Sequence, residues 1–193
     1  MGLLGGMLDE NVTTEEFLLE ETRPAGFWIR VAAYFIDFLI LLVFGVLALF
    51  IKSVPAYILL MIPLIAYKPV LEGILGGTAG KLAIGLRVIN AEGQRIGVAG
   101  GFVRSGLFIL PIIPNMLLQI KMIEQGLSPF DPAAMVEFQQ SNELLYYVYY
   151  GLSALMIISC VVVAFTAHKR GLHDMVADSY VIYLNKETPG SEG

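Results

Sequence analysis

The chain has 193 residues, of which 56% are hydrophobic and 15% charged; its mean hydropathy is +0.72 and its formal charge −5. Soluble domains are about a quarter charged because water must solvate their surface, so this composition excludes an ordinary soluble domain and makes lipid much of the solvent. The acid excess is local: Asp9, Glu10, Glu15, Glu16, Glu20 and Glu21 precede the first Lys or Arg, the remainder is near neutral, and no basic stripe is offered to nucleic acid.

The start, MGLLGGMLDE, has a short apolar stretch with no basic region before it, and is not expected to be a cleaved signal peptide. Myristoylation of Gly2 is rejected because Gly6 stands where Ser or Thr is required. Residues 1–22 read as an acidic cytoplasmic segment, loosely ordered or forming a short surface helix around TTEEFLLEE. A membrane domain over 23–184 and a polar tail over 185–193 follow.

Crossing a ~30 Å hydrocarbon core takes about 20 helical residues. Four stretches qualify: about 27–51; 54–71, which contains Pro63 and Pro69; 102–120, with Arg104 at its start and Pro111 and Pro114 at its centre; and 144–167, which has no charge. With a cytoplasmic N-terminus, four spans place Lys52 and Lys121 outside and the other Lys and Arg residues inside, as the positive-inside rule requires. Both termini are thus expected in the cytoplasm of a multi-pass cell-membrane protein.

Between the second and third spans, residues 82–98 alternate partly around Asn90-Ala91-Glu92-Gly93 and predict a β-hairpin; SYVIYL after the last span is a third β-rich run able to join it. The sequence Ser128-Pro129-Phe130-Asp131-Pro132 predicts a helix start, with Asp131 as N-cap and Pro132 in the first turn. The expected fold class is an all-α integral membrane protein, a four-span helical bundle with a small cytoplasmic β-hairpin or sheet.

Some charges demand a reason. Arg30 and Asp37 share a face of the first span but lie about 10 Å apart along its axis, too far to pair easily. Arg30 is expected to snorkel to the inner headgroups. Asp37 has no such escape, and at roughly 2.5–3.5 kcal/mol for a central Asp it must face protein or water. Its candidate partners are Arg104, Lys68 or the polar cluster after the fourth span. Two readings stay open for Asp37: a structural lock between helices, or a proton or cation site. Glu72, at the inner end of the second span, is a neighbour for Arg30 or Arg104.

His168 and His173 are five residues apart, poor spacing for two metal ligands on a helix, and no HExxH occurs, so neither a metal nor a cofactor is expected. His173-Asp174 could handle protons, but Gly171 ending a helix and Asp174 holding the next turn is the simpler role. The segment GGTAGK lacks the first Gly and the final Ser or Thr of a phosphate-binding loop and reads as a tight turn. The single cysteine, Cys160, lies in an apolar run without a base, and no enzymatic activity is expected.

Three ordered stretches, RVAAYFID, GGTAGKLAIGLRVINAEG and KRGLHDMVADSYVIY, together resemble the RDD family of membrane proteins over about residues 24–184. By that resemblance Arg30 is the family arginine, Asp37 the first aspartate and Asp174 the second. Asp178 departs from the small residue usual there, and the loop over 121–143 is long. The resemblance implies a transport role, including cation/proton exchange as suggested for some members. The residues of interest are therefore Arg30, Asp37 and Asp174, supported by Glu72, Arg104 and His173. The expected partners are the lipid bilayer, a small cation or proton, and a second copy or another membrane protein. The competing reading is a scaffold or regulatory subunit recruiting a partner through its cytoplasmic segments.

Overall fold

A computed structural model of the protein describes residues 24–184. The acidic segment with its expected surface helix, and the C-terminal tail, lie outside the described residues.

Helix α1, Phe27–Ala48, inverts the pattern of a soluble helix. Its buried residues are Arg30, Ala33 and Asp37, at the three- and four-residue steps that keep one face inward, while Phe35, Phe38, Leu39 and Val43 are exposed. Such an apolar exterior suits lipid, and the polar face then turns toward protein. Helix α2, Val54–Leu75, starts with Pro55 in its first turn and ends at Gly76, whose φ of +80° favours glycine. A short helix α3, Ala79–Ala83, and strand β1, Leu86–Asn90, complete the connection.

The third segment is not one straight rod. Helices α4, Gly97–Ile109, and α5, Ile112–Glu124, meet at 61° across a break at Leu110 and Pro111. Proline lacks an N–H and its ring clashes with the carbonyl four residues back, which accounts for the bend. Helix α6, Pro132–Ser141, begins as its sequence predicts: Asp131 Oδ1 accepts the Ala133 and Ala134 N–H groups at 3.1 and 3.2 Å. Helix α7, Glu143–Val161, runs on through a 3₁₀ turn, Val162–Ala164, and is followed by the short helix α8, Leu172–Val176, and strand β2, Ser179–Tyr183. By length and composition α1, α2 and α7 with its extension are three candidate spans, and the bent α4–α5 pair qualifies as a fourth only as a unit.

The hairpin expected over 82–98 does not form. The turn closes, with the Asn90 N–H donating to the Gln94 carbonyl at 2.8 Å, but the chain then enters α4 instead of a return strand. Strand β1 pairs antiparallel with β2, Leu86 opposite Tyr183 and Asn90 opposite Ser179. Its Val88 N–H donates to the Gly76 carbonyl at 2.6 Å, so the loop after α2 takes part of the other edge. The chain just before α1 joins this cap: Pro24 bridges Ile182, and the Ala25 N–H donates to the Val181 carbonyl at 2.8 Å. Ala25, Ala33, Leu86, Val88 and Val181 form its apolar core. A second cluster, Leu118, Met122 and Phe138, packs where α5 meets α6.

Helices α2 and α4 make the closest helix pairing, and glycine permits it. A Cβ on Gly101 would lie 2.1 Å from the Pro69 carbonyl oxygen, and one on Gly73 2.5 Å from the Val98 Cα. In a bilayer, where packing rather than water expulsion drives helix association, small residues let backbones approach in this way. Gly101→Ala is predicted to destabilise the fold by about 1–3 kcal/mol, the usual penalty for overpacking. Gly106→Ala, with nothing within 4 Å of its Cβ, is the control. Equal melting temperatures for the two variants in detergent would refute the close packing.

Candidate functional site

Five elements meet along one line of buried charge that runs through a single aspartate. Asp174, in α8, accepts a hydrogen bond from Arg30 Nη1 on its Oδ2 at 2.5 Å. The Gly171 N–H donates to the same oxygen at 3.0 Å. Its Oδ1 accepts from Arg104 Nε at 2.9 Å and from Arg104 Nη2. Arg104 turns its Nη1 to Glu72 Oε2 at 2.8 Å, and Glu72 Oε1 receives Lys81 Nζ at 2.5 Å. The line Arg30–Asp174–Arg104–Glu72–Lys81 thus joins α1, α8, α4, α2 and α3, and every member is buried.

This geometry corrects the snorkelling role expected of Arg30. Its Nε donates to the Ala25 carbonyl at 3.0 Å and its Nη2 to the Lys169 carbonyl at 2.5 Å, so the guanidinium is spent inside the protein. Glu72 meets Arg104 and Lys81, not Arg30. Asp174 does hold its turn through Gly171, though that turn starts α8 and does not end the preceding helix. Burial by itself would raise the Asp174 pKa, but Arg104 first and Arg30 after it hold it well below the usual carboxylate range. Lys81 is lowered by burial, with Arg104 adding to the effect and Glu72 opposing it.

His173 lies beside this line. Ser159 Oγ accepts the His173 backbone N–H at 3.1 Å and lies 2.9 Å from the ring Nδ1. The ring Nε2 lies 3.2 Å from Asp174 Oδ1 without forming a hydrogen bond to it. Burial lowers the His173 pKa to about 2; Asp174 opposes the shift and Arg104 reinforces it. His168 is exposed, so the two histidines occupy different surroundings.

Asp37 has a cradle of its own, made of none of the partners expected for it. Thr78 Oγ1 donates to Oδ2 at 2.5 Å, while the Gly80 N–H at 2.8 Å and the Tyr67 hydroxyl at 2.9 Å donate to Oδ1. A Cβ on Gly80 would sit 2.1 Å from the Ala33 carbonyl oxygen, so only glycine brings this backbone against α1. The GGTAGK turn therefore binds a carboxylate rather than a phosphate, and Lys81, the next residue, carries the chain into the charge line. Arg30, Asp174, Arg104, Glu72 and His173 come together; Asp37 is separate and connects through Gly80 and Lys81.

Sequence reasoning missed Thr78, Gly80 and Lys81 as site residues, along with Tyr67 and Ser159. The available signal was a Thr-x-Gly-Lys run directly after a helix-ending glycine, a backbone shape suited to an anion. Ser159 carried none, being one hydroxyl in an apolar span.

Beside the cradle lies a cavity of about 660 Å³ between α1, α2, α7 and the α4–α5 bend. Asp37, Tyr67 and Lys68 are on its wall, with Phe38, Ile112 and Met156 among its apolar lining. The Lys68 amine is buried and has no hydrogen-bond partner among the described residues. It sits 2.8 Å from the centroid of the Phe108 ring.

Apolar spans, a polar inner face and a capped charge line define a multi-pass helical membrane protein. The family model described as "RDD family" matches residues 24–178, and the chain belongs to that family. It is 26% identical over 182 residues to the "Uncharacterized protein YckC" of Bacillus subtilis (strain 168), covering 88% of this chain and 89% of the relative. It is also 30% identical over 117 residues to the "Uncharacterized protein YxaI" of the same strain, covering 46% of this chain and 78% of the relative. No solved structure matches the chain significantly.

Two predictions follow from the charge line. Asp174→Asn strips Arg30 of its counter-charge and Arg104 of one of its two, and is predicted to cost about 3–5 kcal/mol, the range for breaking a buried ion pair. Arg30→Lys keeps the charge but not the three-way fork, and should fall between wild type and Asp174→Asn. Thermal unfolding in detergent, followed with a thiol-reactive dye on half-buried Cys160, measures both; a lysine variant as stable as wild type would show that charge alone suffices.

The second concerns pH. Native His173 stays neutral down to about 2 while an unfolded histidine titrates near 6.5, so below that value protons bind only the unfolded chain. Its contribution to stability is present above ~6.5 and falls by about 1.4 kcal/mol per unit as pH drops. Asp174, with its pKa lowered, adds to the loss only below about 4. His173→Gln should flatten the fall in melting temperature between pH 6.5 and 5. An unchanged slope would mean that His173 is not the group responsible.

Proposed function

We propose that this RDD-family protein carries a small cation or a proton across the cell membrane, with the cavity as its chamber and Asp37 as the acid that takes the charge. The observation that carries this reading is an ionisable carboxylate on the wall of a cavity among the spans. Ionisable groups at such depth are expensive and tend to mark ion pathways. The Tyr67 and Thr78 hydroxyls, which donate to the carboxylate, can rotate when it is protonated or meets a cation. The charge line and its cap form a tight closure at one end of the chamber.

Both termini face the cytoplasm in this reading, supported by the excess of Lys and Arg in the inner segments. The α4–α5 pair then counts as a bent fourth span. So few helices provide few walls, which favours assembly with a second copy or another membrane protein. No catalytic step is assigned.

One observation favours the scaffold reading: three donors already serve the two oxygens of Asp37, as a static lock would require. In that reading the acidic N-terminal segment and the cap recruit a partner. Sealed proteoliposomes under an imposed Na⁺ or K⁺ gradient separate the two. Proton flux in wild type and its loss in Asp37→Asn, with melting temperature retained, is the expected result for a carrier. Normal flux in the variant removes Asp37 from the mechanism. No flux from folded wild type, together with a large loss of stability in the variant, transfers the assignment to the scaffold.

A further inference from the structure

The buried ionic residues balance. Arg30, Lys81 and Arg104 stand against Asp37, Glu72 and Asp174, and each carboxylate accepts at least two hydrogen bonds. Among the described residues the Lys68 amine and Arg87 Nε are further buried donors without an acceptor, and of these groups it is Lys68 that lines the cavity. Its amine forms no hydrogen bond among the described residues and rests on the faces of Phe108 and, at 5.4 Å, Tyr34. Ring faces attract an ammonium, yet they accept none of its three protons as an anionic oxygen would. Glu72, one turn further along α2, acts on this amine only through space, so the amine can still take an anionic acceptor that no described residue supplies.

The cavity indicates what that group is attached to. At about 660 Å³ it lies within the ~300–1,000 Å³ typical of small-molecule sites, and most of its wall is apolar. Ser153 and Asn115 add polar atoms along it, and Phe38, Ile112 and Met156 provide hydrocarbon contact. The amine calls for an anionic oxygen, and a cavity of this volume accommodates one hydrocarbon chain more readily than two, which favours a fatty carboxylate over a two-chain phosphodiester lipid of the same charge. The wall also carries Asp37, whose oxygens are already taken by three donors, so Lys68 is the charged group on it left to receive a head, and the long apolar surface fits a single hydrocarbon chain ending in a carboxylate.

From the unpartnered Lys68 amine and the apolar cavity beside it, we infer that the protein binds a single-chain carboxylate amphiphile, with its head on Lys68 and its chain along α1, α5 and α7. This goes beyond the ion-carrying reading and stands without it, because binding is read in the absence of flux.

Native mass spectrometry of the full-length protein released from nonionic detergent, with oleate as the probe, provides the test. Wild type and Lys68→Arg are expected to hold one oleate per chain, and Lys68→Met to lose at least tenfold in occupancy while keeping its melting temperature. Oleyl alcohol, with a comparable chain and no charge, should not displace oleate. Equal occupancy in Lys68→Met, or displacement by oleyl alcohol, would overturn the inference in favour of a greasy groove. Preferential retention of dioleoyl phosphatidylglycerol over oleate would overturn it in favour of a two-chain lipid. Should Lys68→Met lose its fold, oleyl alcohol competition on wild type decides alone. Oleate binding without proton flux would defeat only the carrier reading, and flux without oleate binding would defeat only this inference.

Discussion

A carboxylate held between two arginines, away from water, is the contact on which the arrangement of this protein depends. Asp174 comes from a short helix after the last span, Arg30 from the start of the first span and Arg104 from the bent third segment. These positions are far apart in sequence, and a half-made version of the contact would leave uncompensated charge in a low-dielectric surround. Such a contact is poor as a source of net stability, since two ions must be desolvated to make it. It is strong as a selector of arrangement, because any misplacement of α1, α4 or α8 exposes the full desolvation penalty. Glu72 and Lys81 extend the same condition to α2 and the connection after it.

The second dependence is on backbone proximity. Polar groups reach one another here only because glycines remove the side chains that would hold the elements apart. Gly80 brings the turn after α2 against Ala33 and under Asp37, and Gly101 brings α4 against Pro69. Glycine placement and charge placement thus act together: the first sets how close the helices come, and the second sets which pairs are satisfied at that distance. His173 shows the same economy, since one serine hydroxyl both accepts its backbone N–H and orients its ring.

The protein therefore has two regions with different solvents. At the cap, a two-stranded sheet, the chain just before α1 and a small apolar core hold the charge line in place. Among the spans, apolar side chains face outward and a cavity remains where α4 and α5 bend apart. The bend lies beside the cavity, and Pro111 at the break is part of the cavity wall.

Much of this was legible from the chain alone. Hydropathy located the apolar segments, because a run of about twenty apolar residues has few stable places outside a bilayer. The capping of α6 by Asp131, the polar face of α1 and the membership in a family of membrane proteins were also readable, since each rests on local spacing or ordered motifs. Charges in an apolar run announced that partners must exist. Their identity was not local information. Arg30 was assigned to headgroups, and Asp37 to Arg104, Lys68 or the polar cluster after the fourth span, because sequence shows distance along the chain, whereas partners are chosen by distance in space. Strand pairing was open for the same reason: β1 had a good turn after it, but β2, nearly ninety residues further on, occupied the edge a hairpin would have used. The sequence by itself determined that lipid is the solvent and that its buried charges must be matched. Only the tertiary structure decided which charge matches which, and that the Lys68 amine has no hydrogen-bond acceptor among the described residues, because pairing in a low-dielectric interior depends on positions that the packing of all the helices sets together.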